Sequence, residues 1–110
     1  MERKKLNRLQ RDLRAARRAP QTEADLADLA RRCGREVRSG SNHPMWISPM
    51  FPTHRPFPIS RHGGNPIVAP HVRKVILSAL EADLMAWEDK LELEEQASSN
   101  GGEGEDDEAI

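Results

Sequence analysis

Apolar side chains recur at helical spacing at both ends of the chain, and the middle breaks into short β-like pieces punctuated by glycine, asparagine and proline. Over residues 1–18, Leu6, Leu9, Leu13 and Ala16 follow one another at intervals of three, four and three, which predicts a helix with a narrow apolar stripe and an arginine-rich remainder. Pro20 ends it. Thr22 then serves as the N-cap of a second helix, with Glu23 and Asp25 placed favourably for the helix dipole. Leu26, Leu29, Ala30 and Cys33 share one face of this helix, and Gly34, which tolerates the left-handed conformation, closes it.

From Arg35 to Ser60 the pattern predicts three short antiparallel strands, over 35–38, 45–48 and 57–60. Pro49, Pro52 and Pro56 make the stretch between the second and third an irregular loop, and Pro44 belongs at a strand start or on an edge. After the turn Gly63-Gly64-Asn65-Pro66, a third helix opens at Ala69-Pro70, where proline's missing N–H is not needed. Val72, Val75, Ile76, Ala79, Leu80, Leu84, Trp87 and Leu91 give it one apolar face over five turns. Beyond Gln96 the sequence has no apolar period and many like charges, which predicts a disordered acidic tail. The organisation read this way is a basic helical extension over 1–20, one α+β domain over 21–96 and a tail over 97–110.

Composition limits what this domain can be. Hydrophobic residues are 36% of the 110 and aromatics 4%, so Trp46, Trp87, Phe51 and Phe57 are the large side chains of one small core. Cys33 is alone, which rules out an intrachain disulfide and predicts a cytoplasmic protein. It reads as a core residue rather than a reactive thiol. The basic start lacks the apolar run of a secretory signal, and no window approaches the ~18 apolar residues of a membrane span, so no membrane association is expected. The net charge of −1 hides an asymmetry: residues 1–40 hold 12 Lys and Arg against 6 Asp and Glu, residues 41–80 hold 4 against none, and residues 81–110 hold 1 against 12. The first 80 residues therefore carry +10, enough for an RNA-binding footprint and equally compatible with a solvated basic face. An acidic tail able to fold over that surface would weaken RNA binding.

Three motifs follow one another in order: Gly40-Ser41-Asn42-His43 between the first two strands, Pro58-Ile59-Ser60-Arg61-His62 on the third, and Val72-Arg73-Lys74-Val75-Ile76-Leu77 in the final helix. Together, over roughly residues 25–86, this order resembles the HicA toxin family. There, a helix ending in glycine is followed by a strand, a Gly-Ser-(Asn/His)-His segment, a later strand ending in a Pro-Arg-His-like stretch and an amphipathic helix. The resemblance implies an α-β-β-β-α fold like the double-stranded-RNA-binding domain, endoribonuclease activity of the mRNA-interferase kind, and neutralisation by a HicB-like antitoxin. It places His43 at the catalytic histidine position. The chain departs from the pattern in its extra basic N-terminal helix, its expanded proline-rich loop and its long final helix with an acidic tail. Ser60 also stands where proline often precedes the Arg-His pair.

Cleavage of RNA by its own 2′-hydroxyl needs a proton removed there and one delivered to the leaving 5′-oxygen, and an imidazole near its reference pKa of about 6.5 suits either task. His43 is the candidate general base or acid, and Arg61 the candidate for offsetting phosphate charge. Ser41, Asn42, Arg38, His62, Arg73 and Lys74 complete the expected RNA-contacting set, with water as the second proton carrier and His62 a less favoured one. His54 and His71 read as surface residues. The spacing of the four histidines matches no usual zinc pattern, so neither metal nor other cofactor is expected. Ser41 and His43 do not form a nucleophile–base pair, because no orienting carboxylate lies between Ser39 and Leu80. Trp46 reads as packed under a helix rather than as a base-stacking platform. The alternative function is a non-catalytic RNA-binding module using the same surface. A DNA-binding helix pair leaves the three strands unexplained.

Overall fold

The computed structural model describes the backbone of residues 1–38 and 44–109 and the side chains of 1–38 and 44–98. Among these the order is α1 (Arg3–Arg17), α2 (Glu23–Arg32), β1 (Glu36–Arg38), β2 (Met45–Ile47), β3 (Phe57–Pro58) and α3 (Pro70–Ala109), an α+β architecture.

Both ends of α2 follow from local chemistry. The Thr22 hydroxyl accepts the Asp25 backbone N–H at 3.1 Å, while the Asp25 carboxylate accepts the Thr22 N–H at 2.9 Å, a reciprocal capping box. At the other end Gly34 adopts a φ of 96°, the Gly34 N–H reaches the Arg31 carbonyl and the Arg35 N–H reaches the Ala30 carbonyl, each at 2.9 Å. This double closure reverses the chain and feeds β1. The strands lie antiparallel in the order β1-β2-β3, with Val37 opposite Trp46 and Trp46 opposite Phe57. Pro58 sits on the edge strand, where a missing donor is tolerated.

The core joins all parts of this chain. Leu6, Leu9 and Leu13 of α1 pack in one cluster with Leu26, Leu29 and Ala30 of α2, Trp46 and Phe57 of the sheet, and Ile76, Leu80, Leu84 and Trp87 of α3. Cys33 is buried there as expected, and burial pushes its thiol up to about 12. Helix α1 is docked: Arg3 pairs with Glu88 and Glu95, and Arg17 with Glu81 and Ser78, so its basic face is partly occupied by acids of α3.

Helix α3 departs from expectation at two points. Val72 and Val75 are 38% and 63% exposed, and Leu77, absent from the predicted face, is fully buried. The cause is that α3 is contacted by both α1 and α2, so its buried sector is turned away from the single stripe the spacing suggests. The helix also continues to Ala109, through residues 97–109 where the sequence predicts a disordered tail. Extending an existing helix adds one hydrogen bond per residue ordered and avoids the cost of a new nucleus. Such a helix continues along its own axis and does not lie back over the basic surface. No helix among the described residues is long and apolar enough to cross a membrane.

Candidate functional site

The segment carrying Ser41, Asn42 and His43 lies outside the described residues, but both of its flanks are defined. Arg38, the last residue of β1, is exposed and stands opposite Met45, the first residue of β2. The Pro44 carbonyl, immediately after His43 in the chain, accepts the backbone N–H of Ile59 at 3.3 Å. Ile59 immediately precedes Ser60-Arg61-His62, so sheet pairing brings the second motif alongside Pro44 at the start of β2.

Beside this junction lies a cleft of about 320 Å³ lined by Glu23, Arg31, Trp46, Ser60, Arg61 and His62. Its wall is built by stitching the 61–68 turn onto the N-terminus of α2. Glu23 accepts the His62 backbone N–H on one carboxylate oxygen and contacts His62 Nδ1 with the other, both at 2.8 Å. Asn65, at a φ of 50°, accepts the Ala24 N–H at 2.9 Å, satisfying a donor that the first turn of a helix leaves without a partner. The Val68 N–H reaches the Gln21 carbonyl at 2.8 Å. Burial pushes the Glu23 carboxyl up, but hydrogen bonds from the backbone and ring of His62 outweigh it and leave Glu23 below the usual carboxylate range. The result is a carboxylate 12% exposed behind an imidazole 66% exposed. Trp46 is buried, consistent with packing and unavailable for base stacking, and the Arg31 guanidinium lies over its ring at 5.1 Å.

The chain matches no known family, no curated protein and no solved structure.

The remaining expected contacts are dispersed. Arg73 donates to the Ala19 carbonyl at 3.1 Å, and with Lys74 it lines a separate cavity beside Arg17. These two basic residues of α3 thus face the α1–α2 connection, while Arg61 and His62 line the cleft. His71 is exposed as expected. His54 is not simply a surface residue: it is half-buried, stacks on Phe51 with ring centroids 5.1 Å apart, and places Nδ1 2.7 Å from Asp83 Oδ1.

Asp83 and Arg35 form the polar centre of the molecule, and residue-by-residue sequence reading missed it. The Arg35 guanidinium meets both Asp83 oxygens, at 2.6 and 2.9 Å, and donates to the Trp46 and Arg55 carbonyls at 3.2 and 3.1 Å. Both side chains are 1% exposed. A signal for it existed, because Asp83 falls between Leu80, Leu84 and Trp87 at the spacing of the apolar stripe, where a carboxylate requires a buried partner. Glu23 and Asp83 lie outside residues 39–80 in sequence and contact His62 and His54 through space. Among the described residues, no three of His, Cys, Asp and Glu gather as a metal-binding cluster.

Proposed function

We propose that this chain is a HicA-like toxin, an endoribonuclease that cleaves mRNA without a metal through a single catalytic histidine, His43, and is held inactive by a HicB-like antitoxin. The observation that carries this reading is the Ile59–Pro44 backbone bond, because it sets the residue that follows His43 in the chain beside the Ser60-Arg61-His62 stretch. The order α2-β1-β2-β3-α3 with an antiparallel sheet in chain order supports the finer assignment of a double-stranded-RNA-binding-domain-like fold.

In the proposed reaction His43 takes the proton from a ribose 2′-hydroxyl, and the resulting oxyanion attacks the adjacent phosphorus, breaking its bond to the 5′-oxygen and leaving a 2′,3′-cyclic phosphate. Arg61, exposed at the cleft, offsets the charge that builds on the phosphoryl oxygens. Arg38, Ser41, Asn42 and His62 contact the RNA near the scissile bond. Arg73 and Lys74 extend the basic footprint toward α1, where they serve the flanking backbone.

Induction in a bacterium tests the reading. The wild-type chain arrests growth and fragments mRNA, whereas His43→Ala, matched for abundance and melting temperature, does neither. Arrest that persists in the variant contradicts the catalytic assignment. RNA retained on the purified protein without being cut assigns the chain to the non-catalytic RNA-binding class instead.

A further inference from the structure

Self-cleavage of RNA moves two protons, and one imidazole accounts for only one of them at a time. The cleft is lined by the imidazole of His62, whose setting differs from that of an ordinary surface histidine. Glu23 grips His62 twice, through the backbone N–H and through Nδ1. The first grip fixes the residue and the second fixes the ring, so Nε2 becomes the nitrogen available to a ligand. Glu23 is itself rigid, standing in the first turn of a helix secured by a capping box. The exposure is asymmetric, with the carboxylate withdrawn behind the ring and the ring open to solvent. A surface ion pair needs no such order. A proton carrier does, because the hidden carboxylate sets the tautomer and stabilises the charged ring while the opposite nitrogen meets the substrate. Two guanidinium groups share the cleft: Arg31, steadied on the Trp46 ring, and exposed Arg61.

The geometry points to His62 as a second catalytic residue, a general acid for phosphodiester cleavage positioned by Glu23, with Arg31 and Arg61 receiving the phosphate. This rests on the endoribonuclease reading above and replaces its single catalytic histidine with a pair. The base removes the 2′-hydroxyl proton, the O2′–P bond forms and the P–O5′ bond breaks. Nε2 of the His62 imidazolium gives its proton to the departing O5′. The products are a 2′,3′-cyclic phosphate and a 5′-hydroxyl, and exchange with water returns each imidazole to its starting state. Glu23 is the charged group in direct contact with the ring, while Arg31 and Arg61 face the cleft where the phosphate would balance them.

An RNA cut by the wild-type chain, resynthesised with sulfur in place of the bridging 5′-oxygen at the cleaved bond, tests the assignment, since a thiolate leaves without needing a proton. His62→Ala slows cleavage of the oxygen-linked RNA about 100-fold or more, in line with the size of general-acid effects. It cleaves the sulfur-linked RNA within a few-fold of wild type. Glu23→Gln, which keeps an acceptor for the backbone N–H, gives a smaller loss of about tenfold that sulfur also restores. A His62→Ala variant as fast as wild type on the oxygen-linked RNA overturns the inference, as does one equally slow on both substrates. Either result leaves the role of His43 standing, whereas a wild-type chain that cuts no RNA removes both readings at once.

Discussion

Arg35 leaves α2 through a glycine-closed turn and carries its charge directly into the protein interior, where Asp83 meets it with both oxygens. Two charges withdrawn from water repay their desolvation only when geometry is good and the remaining donors are satisfied. Here the Trp46 and Arg55 carbonyls take further guanidinium protons, and His54 takes part of the Asp83 acceptor capacity. The group thereby ties α3 to the β1 lead-in, the sheet and the proline-rich loop. Asp83→Ala leaves the Arg35 charge buried and uncompensated, and urea unfolding should show a loss of about 3–5 kcal/mol. A loss under about 1 kcal/mol would mean that water already reaches the pair. At this scale the sequence was only partly legible. Trp46, Cys33 and His71 sit as their residue types suggest, but the partners of His54 and His62 arrive from helices at a sequence distance that no local pattern spans.

Periodicity carried the elements well. Leu6, Leu9, Leu13 and Ala16 are all buried, as are Leu26, Leu29, Ala30 and Cys33, because each of these helices presents one face to the core. The three strands fall within their predicted spans, since proline and glycine leave few other places for pairing. Helix α3 was harder, for a helix gripped on two sides has no single stripe. Whether α1 docks was equally beyond the pattern, as a narrow leucine stripe specifies a helix and not its partner. Its leucines are as buried as any in the molecule, so Leu9→Ala should cost about 2–5 kcal/mol in chemical denaturation, the range of a core cavity. A change of a few tenths would instead describe a free arm.

Across the whole molecule, charge and shape divide the chain along α3. The 40 residues of that helix extend about 60 Å at 1.5 Å each, comparable with the molecule's longest dimension of 67 Å. Among the described residues the last buried one of its apolar face is Leu91, so the backbone of the acidic end continues past the core that the first half helps to build. Ending the chain after Gln96 should therefore leave unfolding free energy within about 0.5 kcal/mol of the full length, as for changes away from packed sites. A larger loss would show that the distal helix supports the fold. The same truncation should leave RNA affinity unchanged at low salt, in contrast to the tightening expected of a tail that folds back over the cleft. The charge asymmetry was plain in the sequence. The extended helical path of its acidic half was not, because three glycines and a run of like charges argue locally against a helix.

End-labelled RNA incubated with purified protein in excess EDTA tests the catalytic role of His43 most directly. The wild-type chain should release discrete fragments ending in a 2′,3′-cyclic phosphate, and folded His43→Ala should release none. Intact RNA with the wild-type protein, or the same fragments from both proteins, would contradict it.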